Sequence, residues 1–238
     1  MKAQEQGIRL ILASGRPIYG IMPLAKELKL DQYGGYILGF NGGRIIECKS
    51  GDILFSKDLP EDAAVRLIEQ AKLHGTGLVT YQDDMLITEM PDDPYIQQEA
   101  FITKMTIKKV DDFGAYVDFP INKCILTAEG EHIAKVQPKV KAAFGDELSI
   151  YCSEPFFLEV MPKGIEKSES LDKLLKLLDV TREELIAFGD GMNDRSMISY
   201  AGLGVCMANG QDPVKAAADY IAPSNEEDGV AYVVEKLM

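Results

Sequence analysis

The sequence predicts an α/β protein in which helices cover both faces of a parallel sheet and a separate α+β domain is inserted into that core. Three observations carry the prediction. The first and last thirds alternate short β-rich runs with helical patterns, the signature of a parallel sheet. The middle, from residue 57 to residue 159, sets strand-like runs beside one another between helices, which is an antiparallel α+β pattern. The 238 residues suffice for two moderate domains with a substantial core.

In order, MKAQEQG (1–7) reads as the last turns of a helix stopped by Gly7 as its C-cap. IRLILA (8–13) reads as a buried strand, and Pro17 suits the first position of the helix after it. YILGFN (36–41) is a short strand running into NGG, and RIIEC (44–48) and DILFS (52–56) flank a Lys-Ser-Gly turn as a hairpin. The chain is then expected to leave the core near Lys57 and return near Val160, giving a core of 1–56 and 160–238 around an insert of 57–159. Within the insert, GLVTYQ with MLITEM, KCILTA, and LSIYCS with FFLEVM are strands, with helices near 60–74, 92–104 and 130–143. After it, leucines at helical spacing place a helix over 167–178, and Thr181 caps the next short turn. LIAFGD (185–190), GLGVCM (202–207) and YIAPS are strands, DPVKAAAD is a helix, and GVAYVVEKL is the final helix.

Composition narrows the function classes. An apolar content of 46% and a charged content of 26% are those of a soluble globular protein. No apolar run approaches the ~20 residues needed to span a bilayer, so no membrane partner is expected. MKAQEQG lacks the apolar core of a signal peptide, so the cytoplasm is the expected compartment. With a net charge of −13 and no dense Lys/Arg block, the chain offers no footprint for nucleic acid. Cys48, Cys124, Cys152 and Cys206 are scattered singly without a CxxC pair, which favours buried thiols over disulfides or a zinc site. His74 and His132 fall in helix-like segments and are assigned to helix surfaces.

The chemistry-bearing residues stand where strands end. In LILASGRP an apolar run delivers Ser14 and Gly15, a hydroxyl and a backbone N–H suited to an anion's oxygens. In LIAFGDGMND a strand ends at Gly189 and presents Asp190, Asn193 and Asp194 within a few residues. Ligands of open parallel sheets bind beyond the carboxyl ends of the strands, and clustered carboxylate and amide oxygens suit Mg²⁺. The competing reading is a polar turn with an Asp helix cap. Lys167 starts a helix, where the dipole disfavours a cation unless an anion such as phosphate joins it; otherwise it is a solvated lysine. GLGVCMANG (202–210) does not keep G-x-G-x-x-G spacing and no helix follows promptly, so no dinucleotide site is expected.

Together and in this order, ASGRP, FNGG, the Lys167 helix start, GDGMND and SNEEDGVA resemble the haloacid dehalogenase-like phosphatases, and within them the Cof-type sugar-phosphatase branch. The resemblance implies a Rossmann-like parallel-sheet core with an α+β cap inserted between the second and third motifs. It also implies Mg²⁺-dependent hydrolysis of a small phosphorylated metabolite, such as a sugar phosphate, through an aspartyl-phosphate, with the cap choosing the leaving group. Carried over onto this chain, Ser14 and Gly15 would hold phosphoryl oxygens and Lys167 would neutralise phosphate and nucleophile. Asp190 would ligate Mg²⁺ beside Gly191, and Asp194 would belong to the same metal loop, as ligand or brace. Asn193 would contact phosphate or order the metal site, and Asn41 would line it. Ser168 stands where a glycine commonly follows the lysine.

One departure is larger. The family's nucleophile is the first aspartate of a DxDGT motif on the strand before the first helix, and the second is its general acid/base. Before Ser14 the only acid is Glu5. The expectation is therefore a longer phosphatase whose nucleophile strand precedes Met1, on the order of 25–30 residues by ordinary element lengths. The alternative is a pseudoenzyme that binds phosphometabolites without turnover. The strand in question would lie centrally, between those ending at Ser14 and Asp190, and its loss would leave both without ladder partners.

Overall fold

In the computed structural model, which describes residues 1–237, the chain divides into two compact units. One comprises Met1–Gly15, Leu24–Phe55 and Glu166 onward, the other Arg16–Pro23 and Ser56–Ile165.

The first unit opens with a one-turn helix, α1 (Lys2–Glu5). Gly7 follows at φ +88°, and the Ile8 N–H reaches back 3.1 Å to the Ala3 carbonyl, closing the helix end as a left-handed glycine permits. Along the chain then come β1 (Ile11–Ala13), α2 (Ile18–Glu27), whose Ile18–Pro23 part groups with the second unit, α3 (Leu30–Tyr33), β2 (Tyr36–Gly39), β3 (Arg44–Glu47) and β4 (Ile53–Ser56). These strands form a sheet in the order β1-β2-β3-β4. β1 and β2 are parallel, with Leu12 opposite Ile37, because α2 and α3 supply the crossover. β2 and β3 are antiparallel, Leu38 opposite Ile45, and the Glu47 N–H donates to the Asp52 carbonyl across the turn into β4.

The second unit carries α4 (Ala63–His74), β5 (Gly77–Gln82), β6 (Met85–Thr88), α5 (Pro94–Thr103), β7 (Thr106–Lys109), α6 (Phe113–Tyr116), β8 (Cys124–Thr127), α7 (Gly130–Phe144), β9 (Leu148–Glu154) and β10 (Phe157–Pro162). Its six-stranded sheet has the order β7-β6-β5-β8-β10-β9. Leu67, Ala71, Ile133 and Val140 of α4 and α7 pack on Leu78, Leu126 and Leu158 of the sheet. Ile96 of α5 covers Val79, Leu86 and Ile125 on the opposite face. The sheet is antiparallel except at one edge, where β7 runs parallel to β6 with Leu86 opposite Ile107. The expected antiparallel pairs form elsewhere in the sheet, and here α5 between β6 and β7 is the crossover that parallel pairing requires. Thr-Ile-Lys-Lys escapes a hydrophobic-pattern search because lysines guard this edge strand.

The chain completes the first unit with α8 (Lys167–Leu177), β11 (Ile186–Gly189), α9 (Arg195–Tyr200), β12 (Leu203–Met207), α10 (Asp212–Lys215), β13 (Tyr220–Ala222) and α11 (Gly229–Leu237). β11-β12-β13 form an all-parallel sheet, with Phe188 opposite Val205 and Cys206 opposite Ile221. Leu38, Ile45, Leu171, Leu174, Ala187 and Ile198 lie in one buried cluster, so both sheets of this unit share a core with α8 and α9 between their elements. Within that shared core β1 and β11 are each bonded to a strand on one side.

The cysteines are free, with Cys124 and Cys206 buried as expected. Cys152 is exposed instead, because the far end of β9 runs out of the core, and Cys48 is half-buried. His74 and His132 are half-buried rather than on open helix surface, with His132 Nε2 2.6 Å from the His74 carbonyl. Among the described residues no helix is long and apolar enough to cross a membrane.

Candidate functional site

Four segments of the first unit are stitched together at strand ends. The ladder between β1 and β2 continues past both strands. The Ser14 N–H donates to the Leu38 carbonyl at 2.9 Å, and the Asn41 N–H donates to the Ser14 carbonyl at 2.9 Å. A Cβ on Gly15 would stand 3.1 Å from Asn41 Oδ1, so the backbone here passes tightly under the asparagine amide. Asn41 is presented by an uncommon backbone: Phe40, Asn41 and Gly42 have φ of +53°, +55° and +98°. Asparagine and glycine tolerate the left-handed region, a bulky phenylalanine does so rarely. Gly42 is also pressed against α8, where the Ser170 hydroxyl donates 2.8 Å to its carbonyl.

Lys167, at the start of α8, is 4% exposed. Its ammonium donates to the Ala13 carbonyl at 3.1 Å and to Asp194 Oδ1 at 2.5 Å. An ammonium has three N–H donors, so one remains to meet an anion. The solvated-lysine reading is thereby corrected, because the side chain turns inward and is buried by its own ion pair.

The loop after β11 is held by Asp194. Its Oδ2 accepts the backbone N–H groups of Asp190 and Gly191, each at 3.0 Å, while its Oδ1 takes Lys167. The polar-turn reading of this stretch therefore describes Asp194 itself, whose carboxylate is committed to the loop and to Lys167. Asp190 is exposed, and among the described residues its bonded oxygen is Oδ2, held by Asn209 Nδ2 at 3.0 Å. Asn193 Nδ2 donates to Asn41 Oδ1 at 3.0 Å, joining this loop to the end of β2.

Ser14, Gly15, Asn41, Lys167, Asp190, Gly191, Asn193 and Asp194 are thus connected through one network of short contacts. The family model for haloacid dehalogenase-like hydrolases matches residues 1–234. The chain belongs to the haloacid dehalogenase-like hydrolases. A crystal structure of such a hydrolase from Bacteroides thetaiotaomicron superposes with a TM-score of 0.97 at 45% identity, covering 100% of this chain and 89% of that one. The 5-amino-6-(5-phospho-D-ribitylamino)uracil phosphatase YcsE of Bacillus subtilis is 30% identical over 98% of this chain and 83% of its own length. The HMP-PP phosphatase of Cronobacter sakazakii is 27% identical, over 92% of this chain and 79% of its own.

For a haloacid dehalogenase-like hydrolase, the donor set suits a hard cation in one respect. Mg²⁺ is commonly held by one or two carboxylates, waters and substrate phosphate, and Asp190 Oδ1 is a carboxylate oxygen open to solvent and to such an ion. Among the described residues no group of three or more His, Cys, Asp or Glu side chains converges on a point.

Asn209 was not singled out in the sequence. It bonds Asp190 through Nδ2, and its Oδ1 accepts the Asn225 N–H at 3.0 Å, linking the acidic loop to the SNEED segment. The signal was present: Asn209 follows β12, the neighbour of β11, at the same carboxyl end. Gly210 beside it has to be small, since its Cβ would stand 3.2 Å from the Asp190 Cα. Burial pushes the nearby Cys206 thiol up against a smaller opposing pull from Lys215, which keeps it protonated and inert.

Proposed function

We propose that the protein is a phosphatase for small phosphomonoesters, sugar phosphates among them, acting through an aspartyl-phosphate with Mg²⁺ bound at Asp190. The observation that carries this reading is the convergence of the Ser14–Gly15 turn, a buried lysine with a spare donor, and an open carboxylate at the carboxyl ends of parallel strands.

In this mechanism Ser14 and Gly15 hold the phosphoryl oxygens through hydroxyl and backbone N–H. Lys167 places its remaining N–H toward the charge that grows on the transferring group, while Asp194 keeps the ammonium in place. Asn193 and Asn41, bonded to each other, orient the loop edge. Mg²⁺, when bound, supplies positive charge against the phosphate oxygens. The attacking carboxylate, and the acid that protonates the leaving alcohol, are assigned to a strand that pairs with β1 and β11 and lies outside residues 1–238. This assignment is supported by the one-sided pairing of both strands and by the exposure of Ile186 on β11 at 41%. Choice of leaving group is assigned to residues 57–159, which hold none of the site residues.

The test is a phosphatase assay on a panel of phosphomonoesters, with and without Mg²⁺. It compares the 238-residue chain with the product of the complete reading frame. Turnover is expected only where a strand-borne aspartate is present. Turnover by the short chain that vanishes in Ser14→Ala would overturn the mechanism, and a complete product that binds phosphosugars without turnover would establish the pseudoenzyme instead.

A further inference from the structure

Phe40, Asn41 and Gly42 follow one another through the left-handed region, at φ +53°, +55° and +98°. Glycine takes that course freely and asparagine tolerates it, but for phenylalanine it is a strained position that the surroundings have to impose. The Phe40 side chain is buried, so packing imposes part of it. Two hydrogen bonds act on the residues after it. The Asn41 N–H donates to the Ser14 carbonyl at 2.9 Å, and the Gly42 carbonyl accepts the Ser170 hydroxyl at 2.8 Å.

Ser170 is an uncommon choice for its place. It lies inside α8 and is 1% exposed, where alanine would make the better helix. A serine hydroxyl within a helix often turns back on the carbonyl four residues earlier. Here it reaches across to another segment instead, and a Cβ on Gly42 would collide with it. The serine and the glycine are therefore fitted to each other.

What the contact fixes is a spacing. Lys167 stands three residues before Ser170 on α8, so the two share a face of the helix. The Lys167 ammonium meets the end of β1 at the Ala13 carbonyl. The turn tied to Ser170 carries Asn41, whose amide lies against Gly15 and accepts Asn193 Nδ2 at 3.0 Å. One helix thus sets both the cation and, through the turn, the backbone that carries Ser14 and Gly15. We propose that Ser170 is a positioning residue for phosphoryl binding. Through the Gly42 carbonyl it holds the turn of Phe40, Asn41 and Gly42 in its left-handed course, which keeps Ser14 and Gly15 in register with Lys167. Its ligand is taken from the phosphatase reading, whereas the turn and its tie stand without that reading.

The probe is inorganic phosphate, titrated into wild type, Ser170→Ala and the double variant Phe40→Gly/Ser170→Ala and followed by the amide NMR shifts of Ser14 and Gly15. Backbone carbon shifts of Asn41, read without phosphate, report the hand of the turn. Ser170→Ala is expected to fold, since alanine favours the helix, but to let a fraction of the molecules release the turn. Phosphate affinity should then fall with the fraction that stays competent, by up to about fivefold for one ordinary hydrogen bond. The Asn41 carbon shifts should move toward right-handed values. Glycine at position 40 removes the strain that the bond opposes. The double variant should therefore bind phosphate more tightly than Ser170→Ala while melting below it, because the buried Phe40 ring is lost. A serine that merely stabilised the fold would give the reverse, with affinity falling as stability falls. An unchanged affinity or unchanged Asn41 shifts in Ser170→Ala would overturn the positioning role and leave the phosphatase reading standing. A double variant that binds no better than Ser170→Ala would do the same. Absence of phosphate binding in wild type would overturn both.

Discussion

Lys167 Nζ stands 2.5 Å from Asp194 Oδ1 and 3.1 Å from the Ala13 carbonyl, so one buried cation ties the end of β1 to the loop after β11. The side chains of the pair are 4% and 10% exposed. Removing the lysine leaves a carboxylate with little water to replace it. Lys167→Met is therefore expected to lower unfolding stability by about 3–5 kcal/mol, the usual cost of breaking a buried pair from one side. Urea unfolding measures this independently of activity. A loss under about 1 kcal/mol would mean that the tie is not structural.

Gly189 is the hinge of the same arrangement. A Cβ there would sit 2.5 Å from the Asp194 Cβ, a distance side chains do not accept. Gly189→Ala should displace Asp194, release the Asp190 and Gly191 N–H groups it holds, and cost about 1–3 kcal/mol by overpacking. Amide NMR shifts at Asp190 and Gly191 are the direct readout. Unchanged shifts would show that the loop has room.

How much of this was visible in the sequence depends on what each residue follows. Ser14 and Asp190 stand directly after apolar runs, so the strand-end rule finds both. Asn209 follows such a run too, but GLGVCMANG reads as a strand and a failed dinucleotide spacing, neither of which marks the asparagine. The amide that holds Asp190 shows only once β12 is placed beside β11. Positive φ at Phe40 leaves no trace in sequence, since nothing local favours it. The grouping of Arg16–Pro23 with the second unit was equally hidden. Gly20 lies against the Thr103 backbone, where a Cβ would be 3.4 Å from its carbonyl, and that long-range neighbour cannot be read from periodicity.

Asn209 offers a test of the proposed cation. Its Nδ2 holds Asp190 Oδ2, and its Oδ1 is anchored on the Asn225 N–H. Asn209→Ala leaves the Asp190 charge intact but unfastens its orientation. Loss of such a supporting bond commonly weakens metal binding by about 10–100-fold. Calorimetric Mg²⁺ titration should show that loss, with Asp190→Asn weaker still. Equal affinity in Asn209→Ala and wild type would remove Asp190 from the metal site.

The last prediction concerns alkaline pH and the core of the second unit. Burial pushes the Cys124 thiol from its ordinary 9.0 up to about 12. Burial, reinforced by Glu99, also holds the Tyr81 phenol well above its usual range, with its hydroxyl donating 2.7 Å to Glu99 Oε1. Both groups are neutral when protonated, and both bind their protons more tightly folded than unfolded. Their contribution is therefore fully present below the unfolded values and is lost as pH rises toward the folded ones. For Cys124 that window opens at 9.0 and closes near 12. Stability should fall across it with a component of about 1.4 kcal/mol per pH unit for each proton involved. Cys124→Ala should start lower, because the core loses a sulfur, but should decline less steeply between about pH 9 and about pH 11. Urea midpoints at several pH values give both slopes, and the comparison cancels every other group that titrates there. If Cys124→Ala keeps the wild-type slope, the thiol does not sit in the dry interior between β5 and β10 that its burial at β8 describes.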